Sequence, residues 1–286
     1  MTRALRQWVD QVLGDHSIGG LPPATARREG TSQRVVEVVD SGGMRWFAKQ
    51  VADPRSWHAE VHAYRQWVPA LGTRAPTLRA AAPGLRTLLM SAVPGQAPLR
   101  TDARAHREAG ILLRRLHESR PARTQQPSDR GRTVVLLDGL LARRSGLFTP
   151  VEVAFVGSQA NRINDLPLDK KVPCHGDYKW HNWLVDSVNT LRVIDFGESR
   201  WAIAAFDFSK LFFGVWWRRP DLAAAFFEGY GRQLTEHELE FVRLRMATYA
   251  VQEVAFGHDR GTPQHEDHGR SRLADLMADC QVKAGS

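Results

Sequence analysis

The chain has 286 residues, 43% of them hydrophobic and 24% charged, enough to bury a substantial core in a soluble protein and long enough for two lobes around one cleft. No apolar run approaches the roughly 20 residues that cross a bilayer, Asp10 interrupts the N-terminal stretch where a secretory signal needs apolar residues, and Cys174 and Cys280 lie too far apart for a zinc spacing or a disulfide framework; a cytoplasmic protein with no membrane partner is expected. The formal charge of +8 is uneven, with 13 Lys and Arg against 16 Asp and Glu from Cys174 onward and 26 against 15 before it, and the arginines are dispersed through amphipathic segments, which suits a polyphosphate ligand better than nucleic acid.

In chain order, VVEVVD and MRWFAKQV flank Ser41-Gly42-Gly43, a hairpin signal between Gln33 and Val51. Asp53 and Pro54 supply an N-cap and a first-turn proline for a helix to about Ala70, stopped at Leu71-Gly72. The run Leu85 to Val93 reads as a strand broken by Pro94-Gly95, a hinge. Ile111, Leu112, Leu113 and Leu116 then form an apolar stripe on a helix that opens after Thr101-Asp102. Pro121 to Arg132 is a loop, VVLLDGLLARRSGLF resumes helical periodicity, and two short strands, WLVD and LRVIDF, flank a turn at 187–190. From Asp221 to about Gly257 the chain reads helical, and HDRGTPQHEDH, His258 to His268, reads as a polar loop rather than a metal site. No internal repeat is visible.

The chemistry concentrates in residues 174 to 199, CHGDYKWHNWLVDSVNTLRVIDFGES. Phosphoryl transfer needs an aligned nucleophile and cations that neutralise the phosphate oxygens, with little covalent chemistry from the protein. His175-Gly176-Asp177, then Asn182, then Asp195-Phe196-Gly197 on the next strand place one orienting carboxylate and two hard oxygen ligands on a single hairpin. Asp177 would accept the hydrogen bond of a substrate hydroxyl, and Asn182 and Asp195 would hold Mg2+.

In these residues the sequence resembles the aminoglycoside phosphotransferase and choline kinase-like family, relatives of the protein kinases. The resemblance extends to AGILLRRLHES and to Phe206-Asp207. It implies an α+β, bilobal protein-kinase-like fold: a small antiparallel-sheet lobe at 1–93 that binds nucleotide, and a larger, mainly helical lobe at 94–286 with the catalytic loop and acceptor site. It also implies that Lys49, ending MRWFAK, bridges the α- and β-phosphates of ATP or GTP, that Glu60 pairs with Lys49, and that His175 and Asp207 brace the catalytic loop. The hinge, Met90, Ser91, Ala92 and Val93, would meet the nucleobase through its backbone. There is no GxGxxG; the phosphate-covering loop would be Gly30 to Gln33, with Ser32 as its contact. Lys179 follows the protein-kinase pattern rather than that of the antibiotic kinases, and its ammonium would approach the γ-phosphate. Ala202-Ile203-Ala204 replaces the Gly-Asp-Pro of many relatives.

For the acceptor, Glu198, Trp180, Trp216 and Trp217 are candidates, because a tryptophan face can stack on a sugar or a flat base. The expected activity is phosphorylation of a hydroxyl on an antibiotic, whether an aminoglycoside, a nucleoside or another glycosylated compound, giving resistance or self-protection. A metabolic kinase of the choline, homoserine or sugar type is the alternative. A non-catalytic binding module is disfavoured by intact Asp177, Asn182, Asp195 and Lys49. Neither the acceptor, the preferred nucleotide nor the oligomeric state is fixed by the sequence.

Overall fold

The computed structural model describes residues 2–18, 34–124, 132–144 and 146–284. In chain order the elements are α1 (Arg3–Leu13), β1 (His16–Ile18), β2 (Arg34–Asp40), β3 (Arg45–Gln50), α2 (Pro54–Gln66), β4 (Leu78–Ala82), β5 (Thr87–Ser91), α3 (Ala103–His117), β6 (Arg123–Thr124), α4 (Arg132–Ala142), α5 (Pro150–Asp165), β7 (Lys170–Cys174), β8 (Trp183–Val185), β9 (Leu191–Val193), β10 (Arg200–Ala202), α6 (Ala205–Leu211), α7 (Pro220–Tyr230), α8 (Glu236–Arg260) and α9 (Pro263–Ala284). The front of the chain is antiparallel sheet and the rest mostly helical. Two compact units interleave along it, one made of 1–121, 172–202 and 221–232, the other of 122–171, 203–220 and 233–286.

The first unit contains a five-stranded antiparallel sheet in the order β1-β2-β3-β5-β4. The expected hairpin is β2 and β3, in register Val36 with Ala48 and Val38 with Trp46. Strand alternation gives β3 two faces. Ala48 packs with Val38 and Leu89 against Leu5 and Val9 of α1, so Lys49 projects to the other face. Thr2 caps α1 and Asp53 caps α2, each accepting from the backbone N–H three residues on. Helix α2 ends at Gln66, short of the expected Ala70, and a tighter 3-10 stretch, Val68–Arg74, carries the chain to Ala75. In the same unit α3 crosses α7 at backbone contact distance: a Cβ on Gly110 would overlap Phe226 O, and one on Gly229 would overlap Arg107 O. The short hairpin is β8 and β9, paired Trp183 with Val193, and β10 adds to Val172, Pro173 and Cys174 of β7. Neither β1 nor this β7–β10 pair stands out in the sequence, because strands of three to five residues carry too few alternations to register.

The second unit is built on helices. Thr149 and Thr235 each form a reciprocal capping box, with Glu152 and Glu238. The polar stretch 258–268 is not a loop: α8 runs on to Arg260, Gly261 ends it in the left-handed conformation (φ 62°), and α9 starts at Pro263. A glycine C-cap followed two residues later by an N-terminal proline is the helix stop and start that the histidines and acids obscured. After α6, residues Phe212–Trp216 widen into a π-helical turn whose backbone leaves the helical region at Gly214. No helix among the described residues is long and apolar enough to cross a membrane.

Candidate active site

Lys49 and Glu60 meet because Lys49 is buried near the end of β3 and Glu60 lies on the buried stripe of α2. On α2 the buried side chains Trp57, Glu60, Val61 and Tyr64 follow helical spacing, so Glu60, 0% exposed, sits inside the stripe that packs inward. Its Oε1 accepts from Lys49 Nζ at 2.8 Å, and the same ammonium reaches Asp195 Oδ1, also at 2.8 Å. Burial alone would push the lysine pKa down. The carboxylates of Asp195 and Glu60 outweigh it and hold the pKa above the ordinary lysine value, so the ammonium is fully charged at neutral pH. Tyr64, edge-on to Phe196 at 5.4 Å, is held well above the usual tyrosine pKa by burial and by the Glu60 and Asp195 charges.

The loop between β7 and β8 holds Asp177 at 2% exposure. His175, fully buried, links the loop to the segment that follows β9: Asp177 N–H donates to His175 Nδ1 at 3.3 Å, and His175 Nε2 lies 3.0 Å from Ile194 O, so one neutral tautomer serves both. Gly176 between them has φ 84°, and a Cβ there would overlap the Glu198 backbone. Only glycine fits this turn. Asn182 Nδ2 donates to Asp177 O (2.8 Å) and to Asp177 Oδ2 (3.1 Å), while Lys179 Nζ lies 3.1 Å from Asp177 Oδ1. Asp195 occupies the left-handed region at φ 67°, uncommon outside glycine but tolerated by aspartate. The side chains of Asp195 and Lys179 are 19% and 28% exposed.

Lys49, Glu60, His175, Asp177, Lys179, Asn182 and Asp195 thus all fall in the first unit, joined by direct bonds in two sets, Lys49–Glu60–Asp195 and His175–Asp177–Asn182–Lys179. The amide Nδ2 of Asn182 is spent on Asp177, which leaves Oδ1 as its ligating end. With an Asp195 carboxylate alongside it in the donor set, the chemistry is hard oxygen and fits a magnesium ion. At the hinge, Met90 is buried, and the N–H groups of Ser91 and Ala92 are bonded to Thr77 O and Arg45 O at 2.9 Å. Val93 N–H is the donor left there with no bond among the described residues. Ser32, with the rest of the expected phosphate-covering loop, lies outside the described residues.

The acceptor candidates separate. Trp180 is half-buried beneath Arg100, whose guanidinium lies 5.6 Å from the ring centroid, and Glu198 is exposed and paired with Arg200 at 2.8 Å. Trp216, at 2% exposure, is core, edge-on to Phe212; Trp217 is half-buried; both belong with Asp207 to the second unit. Sequence reading passed over Tyr178. Its hydroxyl donates to Ala109 O of α3 at 2.7 Å, and its ring packs on His175 and Trp183. A large aromatic directly after Asp177 in a polar loop was the available signal. Arg74 likewise anchors the hairpin, bonding Leu191 O and pairing with Glu108 of α3.

A small antiparallel sheet, a lysine–glutamate pair, and a hairpin carrying HGD, Asn182 and DFG define the class of kinase-like phosphotransferases. Residues 23–245 match the sequence model of the family described as "Phosphotransferase enzyme family", and the chain belongs to that family. It is a phosphotransferase. Similar solved structures include a macrolide 2'-phosphotransferase type I (17% identity, TM-score 0.60, covering 96% of this chain and 98% of that one). Others are macrolide 2'-phosphotransferase MphH from Brachybacterium faecium (15%, 0.62, 94% and 96%) and the GDP complex of aminoglycoside 2'-phosphotransferase-IIIa (13%, 0.64, 96% and 96%). At these identities the likeness establishes the fold. No curated protein sequence matches the chain.

Proposed function

We propose that the protein transfers the terminal phosphoryl group of ATP or GTP to a hydroxyl of a small-molecule antibiotic, an aminoglycoside, a nucleoside or another glycosylated compound, and so confers resistance or self-protection. The observation that carries this reading is Asp177: a carboxylate at 2% exposure, fixed by Asn182 and Lys179 at 3.1 Å each. Asp177 accepts the hydrogen bond of the acceptor hydroxyl and aims its oxygen at the phosphorus. Lys49, held by Glu60, meets the α- and β-phosphates. Lys179 moves its charge from Asp177 toward the γ-phosphoryl oxygens as their charge grows, a benefit larger in the transition state than in the ground state. Asn182 and Asp195 would hold Mg2+, which supplies charge neutralisation on the phosphates. His175 and Asp207 act as braces, the Val93 N–H reads the base, and a lobe boundary near Val93–Pro94 separates nucleotide from acceptor side.

Solved relatives named for macrolides and aminoglycosides, one of them a streptomycin–ATP ternary complex, favour an antibiotic acceptor over choline, homoserine or a free sugar. Incubation of the purified protein and magnesium with a panel of antibiotics and metabolites, once with ATP and once with GTP, tests it by mass spectrometry. A gain of one phosphoryl group on an antibiotic is expected; transfer confined to a metabolic alcohol contradicts the antibiotic reading.

A further inference from the structure

The second unit buries two arginines among its described residues, and each leaves its buried Nε without an acceptor there. Arg245 lies between the rings of Phe206 and Tyr249, 4.8 and 4.7 Å from their centroids, and donates to Tyr249 Oη at 3.0 Å. Arg272 of α9, 5% exposed, has its guanidinium carbon 5.4 Å from the Trp217 ring centroid. Its single hydrogen bond is a 3.5 Å contact from Nη1 to Asp275, a side chain itself 42% exposed, and its buried Nε has no acceptor among the described residues. A guanidinium offers five donors in a planar fork, so four or more are unspent on protein. Burying such a cation is costly unless an anion answers it. Burial, and then the neighbouring charge of Arg218, pull the Arg272 pKa below the usual arginine value, with Asp275 only partly opposing them. Trp217 and Arg218 come directly after the π-helical turn Phe212–Trp216, broken at Gly214; such turns re-aim side chains and recur at functional sites.

We propose that Arg272, Arg218 and Trp217 form a receptor for a small oxyanion, a carboxylate or a phosphate, either free or carried on an organic molecule. Trp217 fixes the plane of the Arg272 fork, Arg272 supplies parallel N–H donors to two oxygens of the anion, and exposed Arg218 closes on it from the rim. The second arginine, repulsive toward Arg272 when the site is empty, becomes attractive once an anion lies between them. Neutral and cationic molecules gain nothing from this arrangement. The site needs no phosphoryl transfer and stands or falls apart from the reading of Asp177.

The test is isothermal titration of wild type, Arg218→Gln and Arg272→Met with inorganic phosphate and with benzoate, at constant ionic strength and with nucleotide saturating the other phosphate site. Wild type is expected to take up one equivalent of at least one probe. Arg218→Gln, a change at an exposed side chain that should fold normally, is expected to weaken binding roughly 10- to 100-fold, the worth of a charge-assisted bond. Arg272→Met should abolish it. Preference for phosphate assigns the site to phosphate chemistry and preference for benzoate to an organic carboxylate; phenyl phosphate, titrated beside inorganic phosphate, separates a carried phosphate from the free ion. No uptake of any probe by wild type, or unchanged affinity in Arg218→Gln, overturns the proposal, so the outcome does not depend on Arg272→Met remaining folded.

Discussion

In the first unit the buried polar groups close on one another through short, irregular elements: Lys49 bonds two carboxylates, His175 joins its own loop to Ile194 after β9, and Asn182 holds Asp177. In the second unit long capped helices dominate, and Arg272 is buried with its donors largely unspent. The difference teaches where each kind of residue acts. A closed network at a fixed backbone holds charged groups in place for chemistry, because every member is over-determined by its neighbours. An open, buried cation in a helical frame holds a place for something that is not part of the chain.

The sharpest way to break this contrast is Asp195→Asn, which keeps a residue that tolerates φ 67° but removes the charge that Lys49 meets. Turnover should fall at least about 10²-fold with the thermal midpoint little changed; near-normal turnover would detach the DFG strand from catalysis. Lys49→Met comes next. It leaves Glu60 buried without its counter-ion, and a loss of about 3–5 kcal/mol is expected in urea unfolding, eased when Glu60→Gln is added. Because the folded-state pKa of Lys49 is raised, its stabilisation is complete at neutral pH and is lost only as pH climbs past the ordinary lysine range. Measured against the Lys49→Met, Glu60→Gln double variant, which leaves no buried Glu60 carboxyl to titrate, the wild-type stability gap should therefore stay flat from about pH 6 to pH 9; a gap that narrows over that window would show that the lysine titrates early.

Tyr178→Phe is a subtler probe, since it keeps the ring on His175 and deletes only the bond to Ala109 O. A roughly 2- to 10-fold fall in kcat with nucleotide KM unchanged is expected, and an equal change in both would make the residue merely structural. Thr235→Ala, in the second unit, should cost about 1 kcal/mol of stability through the lost capping box and leave kinetics untouched.

Much of the first unit was legible in the sequence for local reasons. The β2–β3 hairpin, the Asp53-Pro54 helix start and the HGD, Asn182 and DFG hairpin each announce themselves within about two dozen residues. Tyr178 was not legible, because its meaning lies in Ala109, which is 69 positions away. Nor was the α8–α9 turn: side-chain chemistry at 258–268 drew attention from Gly261 and Pro263, whose backbone preferences decided the structure. Arg272 shows the same limit, since nothing in SRLADL distinguishes a buried arginine from a solvated one.

The central claim is that Asp177 acts on the acceptor and not on the nucleotide. Asp177→Asn should be compared with wild type in one experiment that measures both nucleotide affinity and single-turnover phosphoryl transfer, using whichever acceptor the antibiotic panel yields. A fall in transfer of at least about 10²-fold with nucleotide affinity within about 2-fold of wild type is the predicted result. Transfer at the wild-type rate, or loss of affinity in step with loss of rate, would contradict it.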